Sequence, residues 1–146
     1  MGGVVLPLLW MIFDIFSFAD FPLHPAAFAF GCAVLVAGLW LLKRSHEDLG
    51  TNWSVSLEVK ENHTLTSEGV YKYIRHPMYS SLFLYSASQA FLLPNWIVGP
   101  AGVVTFALLY FLRVGSEEQM MREKFGQDYE AYMRRTNRLI PSYRPF

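Results

Sequence analysis

Residues 25–42, PAAFAFGCAVLVAGLWLL, form an uncharged stretch that is apolar on every side of a helix. A helix that spans a bilayer needs about 20 mostly apolar residues, with ~17 as the lower limit. A surface helix of a soluble protein would carry a polar stripe, which this stretch lacks. It therefore predicts a transmembrane helix rather than the core helix of a soluble bundle.

Three further stretches of the chain have a similar length and composition. Together the four candidate spans lie at residues 3–21, 25–42, 77–93 and 96–112. The whole chain is 53% hydrophobic and only 16% charged, which is more apolar than a typical soluble domain. We therefore predict an all-α integral membrane protein, with about four transmembrane helices in one domain over residues 1–146. Asp14, within the first span, is expected to face the helix bundle or the interface, and a role in a site is the alternative.

The positive charges lie in two segments. All 12 Lys and Arg residues fall within residues 43–75 and 113–144, and the other two connections contain none. With four spans, both basic segments lie on the same side, which the positive-inside rule makes cytoplasmic. Both termini are then cytoplasmic as well. The net charge of zero gives no reason to expect a nucleic-acid partner.

The first polar segment covers roughly residues 49–79. The alternation in WSVSLEV predicts a short extended or hairpin-like piece, and SEG predicts a turn after it. Pro77 suits the first turn of the third span, where its missing N–H costs little. Arg75 and His76 then lie at the N-terminal end of that helix. Its free N–H groups and partial positive charge can receive a carboxylate.

The second polar segment covers roughly residues 113–141. Residues 116–136 predict an amphipathic cytosolic helix with Ser116 as its N-cap. Its apolar face consists of Phe125, Tyr129, Tyr132 and Met133. If this helix continues from the fourth span, Arg113 and Glu117 share a face. A plainer interpretation is that Arg113 only extends its charged end to the membrane surface and forms a surface ion pair with Glu117. In the same way, RRTNR could only contact anionic lipids.

Two separated motifs carry a resemblance to a known family. NHTLTSEGVYKYIRHPMY (residues 62–79), followed about 40 residues later by EEQMMREKFGQDYEAYMRRTNRLIP (residues 117–141), resembles the isoprenylcysteine carboxyl methyltransferase family. The same motifs are similar to those of phospholipid N-methyltransferases. The resemblance covers roughly residues 49–141. It implies an integral membrane enzyme that uses S-adenosyl-L-methionine without a Rossmann-type site, and G-x-G-x-x-G is absent here. Ser81 stands where the family often has a glycine.

The resemblance also implies the site residues. The cofactor is expected between the two polar segments, at His63, Thr64, Leu65, Thr66, Tyr71, Arg75, His76, Pro77, Met78, Tyr79, Glu117 and Glu118. Arg113 matches an arginine placed near the acceptor, so Arg113 and Glu117 are the expected catalytic residues. The faces of tyrosine rings can stabilise the sulfonium cation of the cofactor. A glutamate can accept hydrogen bonds from the cofactor's amino group or its ribose hydroxyls. A guanidinium fork fits an acceptor carboxylate.

We therefore expect a membrane methyltransferase that acts on a lipophilic acceptor, with O-methylation of a carboxylate favoured by Arg113. The RHP segment would lie where a soluble cofactor meets a lipid-embedded acceptor. N-methylation of an amine lipid is the near alternative, and His63 or Glu118 could then take up a proton. A nicotinamide-dependent reductase and a non-catalytic assembly protein are the other classes. No metal is expected, because the histidines have no zinc spacing. The oligomeric state stays open.

Overall fold

The computed structural model describes residues 2–50 and 64–142 of the chain. Within those ranges the backbone forms four α-helices and short 3-10 helices, with isolated bridges but no strand. The helices are α1 (Gly2–Phe13), α2 (Pro25–Leu49), α3 (Pro77–Leu92) and α4 (Val98–Arg135), and the 3-10 helices are Ser17–Ala19 and Gly69–Lys72. The extended piece predicted for WSVSLEV lies outside the described residues.

Two of the helices in the described ranges are long and apolar enough to cross a membrane. They are α2, with 25 residues and a mean hydropathy of 2.1 in its most apolar window, and α4, with 38 residues and 1.6. α1 has 12 residues and α3 has 16. At 1.5 Å per residue, these reach only about 18 and 24 Å, whereas the hydrocarbon core of a bilayer is ~30 Å thick. The helical, membrane-type architecture is confirmed, and the number of four spans stays a prediction.

The continuous helix predicted over residues 3–21 is wrong. α1 ends at Phe13, and the chain turns through Asp14 and Phe16, whose φ angles are 54° and 72°. Aspartate adopts this left-handed backbone more readily than most side chains, and a helix cannot continue through it. The apolar composition of the stretch therefore concealed a turn.

Polar groups after the turn explain why the chain leaves the helix there. Asp20 accepts hydrogen bonds from the indole N–H of Trp10 at 2.9 Å and from the amide of Asn95 at 2.6 Å. Asn95 also donates to the carbonyl of Phe16 at 2.7 Å, and its own oxygen accepts the N–H of Val98 at 2.8 Å. The Asn95 side chain thus caps α4 and ties the turn after α1 to it.

The chain divides into two compact units. The first contains Met1–Trp40 and Ser81–Tyr110, and the second contains Leu41–Ser80 and Phe111–Phe146. In the first unit, α2 approaches α3 closely at Gly38, where an added Cβ would lie 3.2 Å from the carbonyl oxygen of Ser81. Small residues permit this kind of close helix packing. Here the glycine of α2 supplies the close approach, and Ser81 fills the facing position on α3.

Tyrosines form the core of the second unit. Tyr71, Tyr129 and Tyr132 are buried there. The hydroxyl of Tyr132 donates to the carbonyl of Tyr71 at 2.5 Å, and the hydroxyl of Tyr71 donates to the carbonyl of Ser45 at 3.3 Å. Burial raises the pKa of both Tyr71 and Tyr132 well above the ordinary value, so both hydroxyls stay protonated as donors. These hydrogen bonds connect the end of α2, the 3-10 helix Gly69–Lys72 and α4.

The helix predicted for residues 116–136 is the continuation of α4. Ser116 is not its N-cap, because its hydroxyl donates within the helix to the carbonyl of Arg113 at 2.8 Å. No proline interrupts the junction, and the one glycine there, Gly115, costs only about 1 kcal/mol in a helix. The helical backbone is instead interrupted farther on, at Gly126, where φ is 50° and ψ is −123°.

Candidate active site

The N-terminal end of α3 lies where the sequence predicts it. The helix begins at Pro77. The carbonyl of His76 accepts the N–H of Ser80 at 3.1 Å, so His76 is the residue that precedes the helix. Proline suits the first helical position because no N–H is needed there. Arg75 and His76 therefore stand at the positive end of α3, as predicted.

A C-terminal segment, residues 136–142, pairs with the chain that leads into α3. The backbone N–H of Arg75 donates to the carbonyl of Asn137 at 2.8 Å, and the backbone N–H of His76 donates to the carbonyl of Arg138 at 3.0 Å. Farther along, the N–H of Ser142 donates to Tyr73 at 2.9 Å. We call residues 136–142 the C-terminal strap. This backbone pairing holds the Arg138 side chain next to the start of α3.

The Glu118 carboxylate on α4 is the centre of a buried charge cluster. Glu118 is 1% exposed. Its Oε1 accepts from Arg75 Nη2 at 3.0 Å, from His76 Nε2 at 3.4 Å and from Arg138 Nε at 3.0 Å. Its Oε2 accepts from Arg138 Nη2 at 2.5 Å. Two guanidinium groups thus surround one carboxylate at the start of α3, so the cluster keeps a positive excess.

Glu118 stays ionised in this cluster. Burial alone would raise the pKa of its carboxyl group. The hydrogen bonds from His76, Arg138 and Arg75, with the charge of Arg75, outweigh burial and hold that pKa well below its ordinary value. An unpaired carboxylate would be costly in this position, whereas a fully hydrogen-bonded one is stable.

The guanidinium of Arg75 donates its hydrogen bonds to groups within the chain. Its Nη1 donates to the carbonyl of Met133 at 3.1 Å and to the carbonyl of Thr136. Its side chain is 8% exposed. The guanidinium therefore joins the start of α3 to the end of α4 and to the strap. A bound ligand would meet the positive potential of Arg75 rather than its N–H groups.

The neighbouring carboxylate, Glu117, has different partners and more exposure. Its Oε1 accepts the hydroxyl of Tyr79 at 2.6 Å and lies 3.5 Å from Arg113 Nε. The side chains of Glu117 and Arg113 are 21% and 48% exposed. The His76 and Tyr79 rings lie 5.7 Å apart. The structure thus brings Arg113, Glu117 and Tyr79 together on the accessible side of the cluster.

The other predicted site residues lie in several places. Pro77 is buried, Met78 is half-buried, and Tyr71 uses its hydroxyl within the core. Thr64, Leu65 and Thr66 lie in the coil before the 3-10 helix. His63 lies outside the described residues.

Arg138 and the strap were not singled out by the sequence. The residue lies in the quoted RRTNRLIP stretch, where its charge suggested only a lipid contact. Nothing local indicates that its guanidinium binds Glu118, because 20 residues separate the two.

Comparisons with known proteins identify the family of this chain. The profile of the isoprenylcysteine carboxyl methyltransferase (ICMT) family matches residues 29–123. Protein-S-isoprenylcysteine O-methyltransferase B of Arabidopsis thaliana is 28% identical over 146 residues, which cover 99% of this chain and 72% of the relative. The human protein-S-isoprenylcysteine O-methyltransferase is 31% identical over 118 residues, which cover 80% of this chain and 40% of the relative.

A solved structure has the same fold. The eukaryotic intramembrane Ras methyltransferase ICMT matches with a TM-score of 0.74 and 26% identity, over 98% of this chain and 51% of that chain. The chain thus spans about half the length of the solved relative. The family profile covers more than half of this chain, including the RHP segment and both glutamates. The resemblance noted in the sequence is therefore confirmed, and the chain belongs to the isoprenylcysteine carboxyl methyltransferase family.

Proposed function

We propose that this protein is an integral membrane methyltransferase that moves a methyl group from S-adenosyl-L-methionine to the carboxylate of a lipophilic acceptor. The product is a methyl ester. The relatives are named for isoprenylcysteine, so a prenylated cysteine carboxylate is the first acceptor to test. Besides family membership, the observation that supports this proposal most is the accessible group of Arg113, Glu117 and Tyr79 beside the start of α3.

The chemistry of these residues fits the cofactor. Glu117 offers a partly exposed carboxylate that can accept from an amino group or from ribose hydroxyls. The face of Tyr79 can attract a cation, which is worth ~0.5–2 kcal/mol. The positive excess at the start of α3 suits an anionic tail. When bound, S-adenosyl-L-methionine supplies an electrophilic methyl group on its sulfonium, which becomes a neutral sulfide.

The role proposed for Glu118 differs from that of Glu117. Because Glu118 is 1% exposed and surrounded by its own chain, it is proposed to hold the site residues in place without contacting the ligand. Its carboxylate fixes Arg75 and His76, and these residues set the potential that a ligand meets. The direct contacts are assigned to Glu117, Tyr79 and His76.

Arg113 is proposed to bind the acceptor. Its guanidinium is half-exposed, and its planar donors fit a carboxylate in a bidentate geometry. A carboxylate nucleophile is already ionised at neutral pH and needs no general base. The protein then has to position the acceptor and to remove water from it. The pairing of Arg113 with Glu117 connects the acceptor position to the cofactor position.

We also propose how the chain lies in the membrane. α2 and α4 cross the bilayer with their apolar parts, and the two basic segments are cytoplasmic. The four-span topology, with α1 and α3 completing the membrane part, belongs to this proposal. It predicts that the cofactor enters from the cytoplasm.

The test is a transfer assay with the protein in lipid nanodiscs. S-adenosyl-L-methionine with a labelled methyl group is mixed with a farnesylated cysteine derivative that has a free carboxylate. Its carboxamide is the matched control. We expect label in the acid but not in the amide, and alkali should release that label as methanol because it is an ester. Alkali-stable label in phosphatidylethanolamine, without label in the acid, would instead show an amine methyltransferase.

A further inference from the structure

The C-terminal strap lies beyond the residues that the family profile matches, which end at 123. Arg138 nevertheless makes the shortest of the hydrogen bonds to the Glu118 carboxylate. Its Nη2 lies 2.5 Å from Oε2, and its Nε lies 3.0 Å from Oε1. This pair is bidentate, a geometry that fixes orientation as well as distance. The Arg138 side chain is 48% exposed, whereas that of Glu118 is 2% exposed.

We propose that Arg138 is a positioning residue, which holds the Glu118 carboxylate against the start of α3 and thereby controls how tightly the cofactor binds. The proposal rests on the proposed function. Arg138 itself is not assigned a contact with the cofactor. It acts through Glu118, which in turn orients Arg75 and His76.

The distribution of contacts over the two carboxylate oxygens supports this role. Arg75 and His76 both donate to Oε1, whereas Arg138 donates to both oxygens. The Arg138 contact to Oε2 therefore fixes the rotation of the carboxylate about its last bond. If the carboxylate rotates, the donors of Arg75 and His76 lose their common acceptor. The start of α3 then loses its defined charge arrangement.

Backbone pairing makes Arg138 suitable for this task. The carbonyl of Arg138 accepts the N–H of His76, so the residue is anchored to the segment whose side chains it influences. The carbonyl of Asn137 accepts the N–H of Arg75 in the same way. The strap therefore joins the α3 start through its backbone and reaches α4 through the Arg138 side chain. One segment thus ties together the two motifs that carry the proposed site.

Removal of Arg138 should change the pH dependence of cofactor binding, which removal of a purely structural contact would not do. Burial pushes the pKa of Glu118 upward, and Arg138 is one of the donors that oppose it. Among the residues that the structure describes, the other groups that interact with Glu118 electrostatically are Arg75 and His76 before α3 and Tyr129 on α4. Burial raises the pKa of Tyr129 to about 12, so it is neutral at acid and neutral pH. Without Arg138, Glu118 should therefore take up a proton at a higher pH, and cofactor binding should weaken there.

The test measures binding of S-adenosylhomocysteine by calorimetry across a range of pH in detergent-purified protein. The variants are Arg138→Gln, Glu118→Gln and the double variant, with Arg134→Gln as the control. Arg134 is an exposed arginine near the end of α4, so this control removes the same charge from the same region. We expect Arg138→Gln to weaken binding about tenfold, or ~1.4 kcal/mol, and to move the acid limit of binding to a higher pH. Arg134→Gln should change neither.

The double variant tests whether Arg138 acts through Glu118. If it does, Arg138→Gln should weaken binding little further once Glu118 is already Gln. If Arg138→Gln does not fold, Arg138→Lys keeps the charge without the fork and should show the same change in smaller measure. The proposal is overturned if folded Arg138 variants bind as wild type does at every pH, or if the two single effects multiply. Absence of binding by the wild-type protein would contradict the proposed function itself, and this role with it.

Discussion

The hydroxyl of Tyr79, in the first turn of α3, donates a 2.6 Å hydrogen bond to the carboxylate of Glu117, 38 residues away on α4. The adjacent glutamate, Glu118, binds Arg75 and Arg138 instead. Two consecutive side chains of one helix thus hold two separate groups of partners. The Glu117 side chain is partly open to solvent, whereas the Glu118 carboxylate is buried. The roles proposed above, in which Glu117 contacts ligand and Glu118 supports the site, rest on this difference.

Loss of the Tyr79 hydroxyl should weaken cofactor binding. Tyr79→Phe keeps the ring but removes the hydroxyl that donates to Glu117. We expect the dissociation constant of S-adenosylhomocysteine to rise roughly tenfold, since a hydrogen bond to a charged group is worth ~1.5–3 kcal/mol. Tyr79→Ala should weaken binding further because the ring is lost too. Tyr85→Phe, on the same helix, is the control and should bind normally. Equal binding by Tyr79→Phe and wild type would show that the hydroxyl does not orient Glu117.

Arg113 should matter for transfer and little for cofactor binding. Arg113→Ala removes the donors proposed for the acceptor carboxylate, so kcat/KM for the farnesylated acid should fall by at least about a hundredfold, or ~2.7 kcal/mol. Arg113→Lys keeps the charge without the planar fork and should recover only part of the rate. Arg122→Ala, at an exposed position farther along α4, is the matched control. A similar loss of S-adenosylhomocysteine affinity in Arg113→Ala would assign Arg113 to the cofactor instead.

Stability should depend on the ionisation of Glu118. Its folded-state pKa is held below the ordinary value of about 4.5. A lowered carboxyl pKa contributes stability above that ordinary value, and the contribution is lost as the pH falls through the folded-state pKa. The free energy of unfolding should therefore decline below about pH 4.5, measured by chemical denaturation in detergent.

Glu118→Gln supplies the comparison for this pH dependence. Removing one partner of a buried charge cluster costs about 3 kcal/mol, so the variant should be less stable at neutral pH. The decline below pH 4.5 should also become shallower, because the group that titrates is gone. Glu117→Gln, next to it but more exposed, should be close to wild type in stability. Parallel pH curves for Glu118→Gln and wild type would assign the acid sensitivity to other carboxylates.

Gly38 should be required for the packing of α2 on α3. Its added Cβ would lie 3.2 Å from the carbonyl oxygen of Ser81, and backbone atoms cannot move aside as a flexible side chain can. Gly38→Val should therefore lower the thermal stability in detergent, by an overpacking cost of about 1–3 kcal/mol. Gly115→Ala is the control. In the described part of the chain, a Cβ added there would meet no atom within 4 Å beyond its own helix backbone and chain neighbours, and alanine favours a helix. A neutral Gly38→Val would mean that the two helices can separate without cost.

Local signals predicted the parts of the fold that depend on neighbouring residues. The start of α3 was predicted from Pro77, because proline lacks the N–H that the first helical position does not need. The apolar run of residues 25–42 predicted most of α2. The end of α1 could not be predicted in this way, since it depends on Asn95 reaching Asp20 across 75 residues. Ser116 had a favourable N-cap composition, but α4 continues through it because no residue there breaks the helix.

The site shows the same difference between local and distant contacts. The pairing of Arg113 with Glu117 follows from their spacing of four residues on a helix. Distance along the chain hides the contacts of Tyr79 with Glu117 and of Arg138 with Glu118. The resemblance named most of the candidate residues, but it did not separate the accessible carboxylate from the buried one. That distinction required the burial and the partners of each oxygen.

The decisive experiment on the proposed methyltransferase function is calorimetric titration with S-adenosylhomocysteine, with wild-type protein beside Glu117→Gln. We expect micromolar binding by the wild type and binding at least about tenfold weaker, or ~1.4 kcal/mol, in the variant. Both proteins should show the same unfolding midpoint, because Glu117 is partly exposed. Folded wild-type protein that gives no heat with S-adenosylhomocysteine, and no competition by S-adenosyl-L-methionine, would contradict a methyltransferase function for this chain.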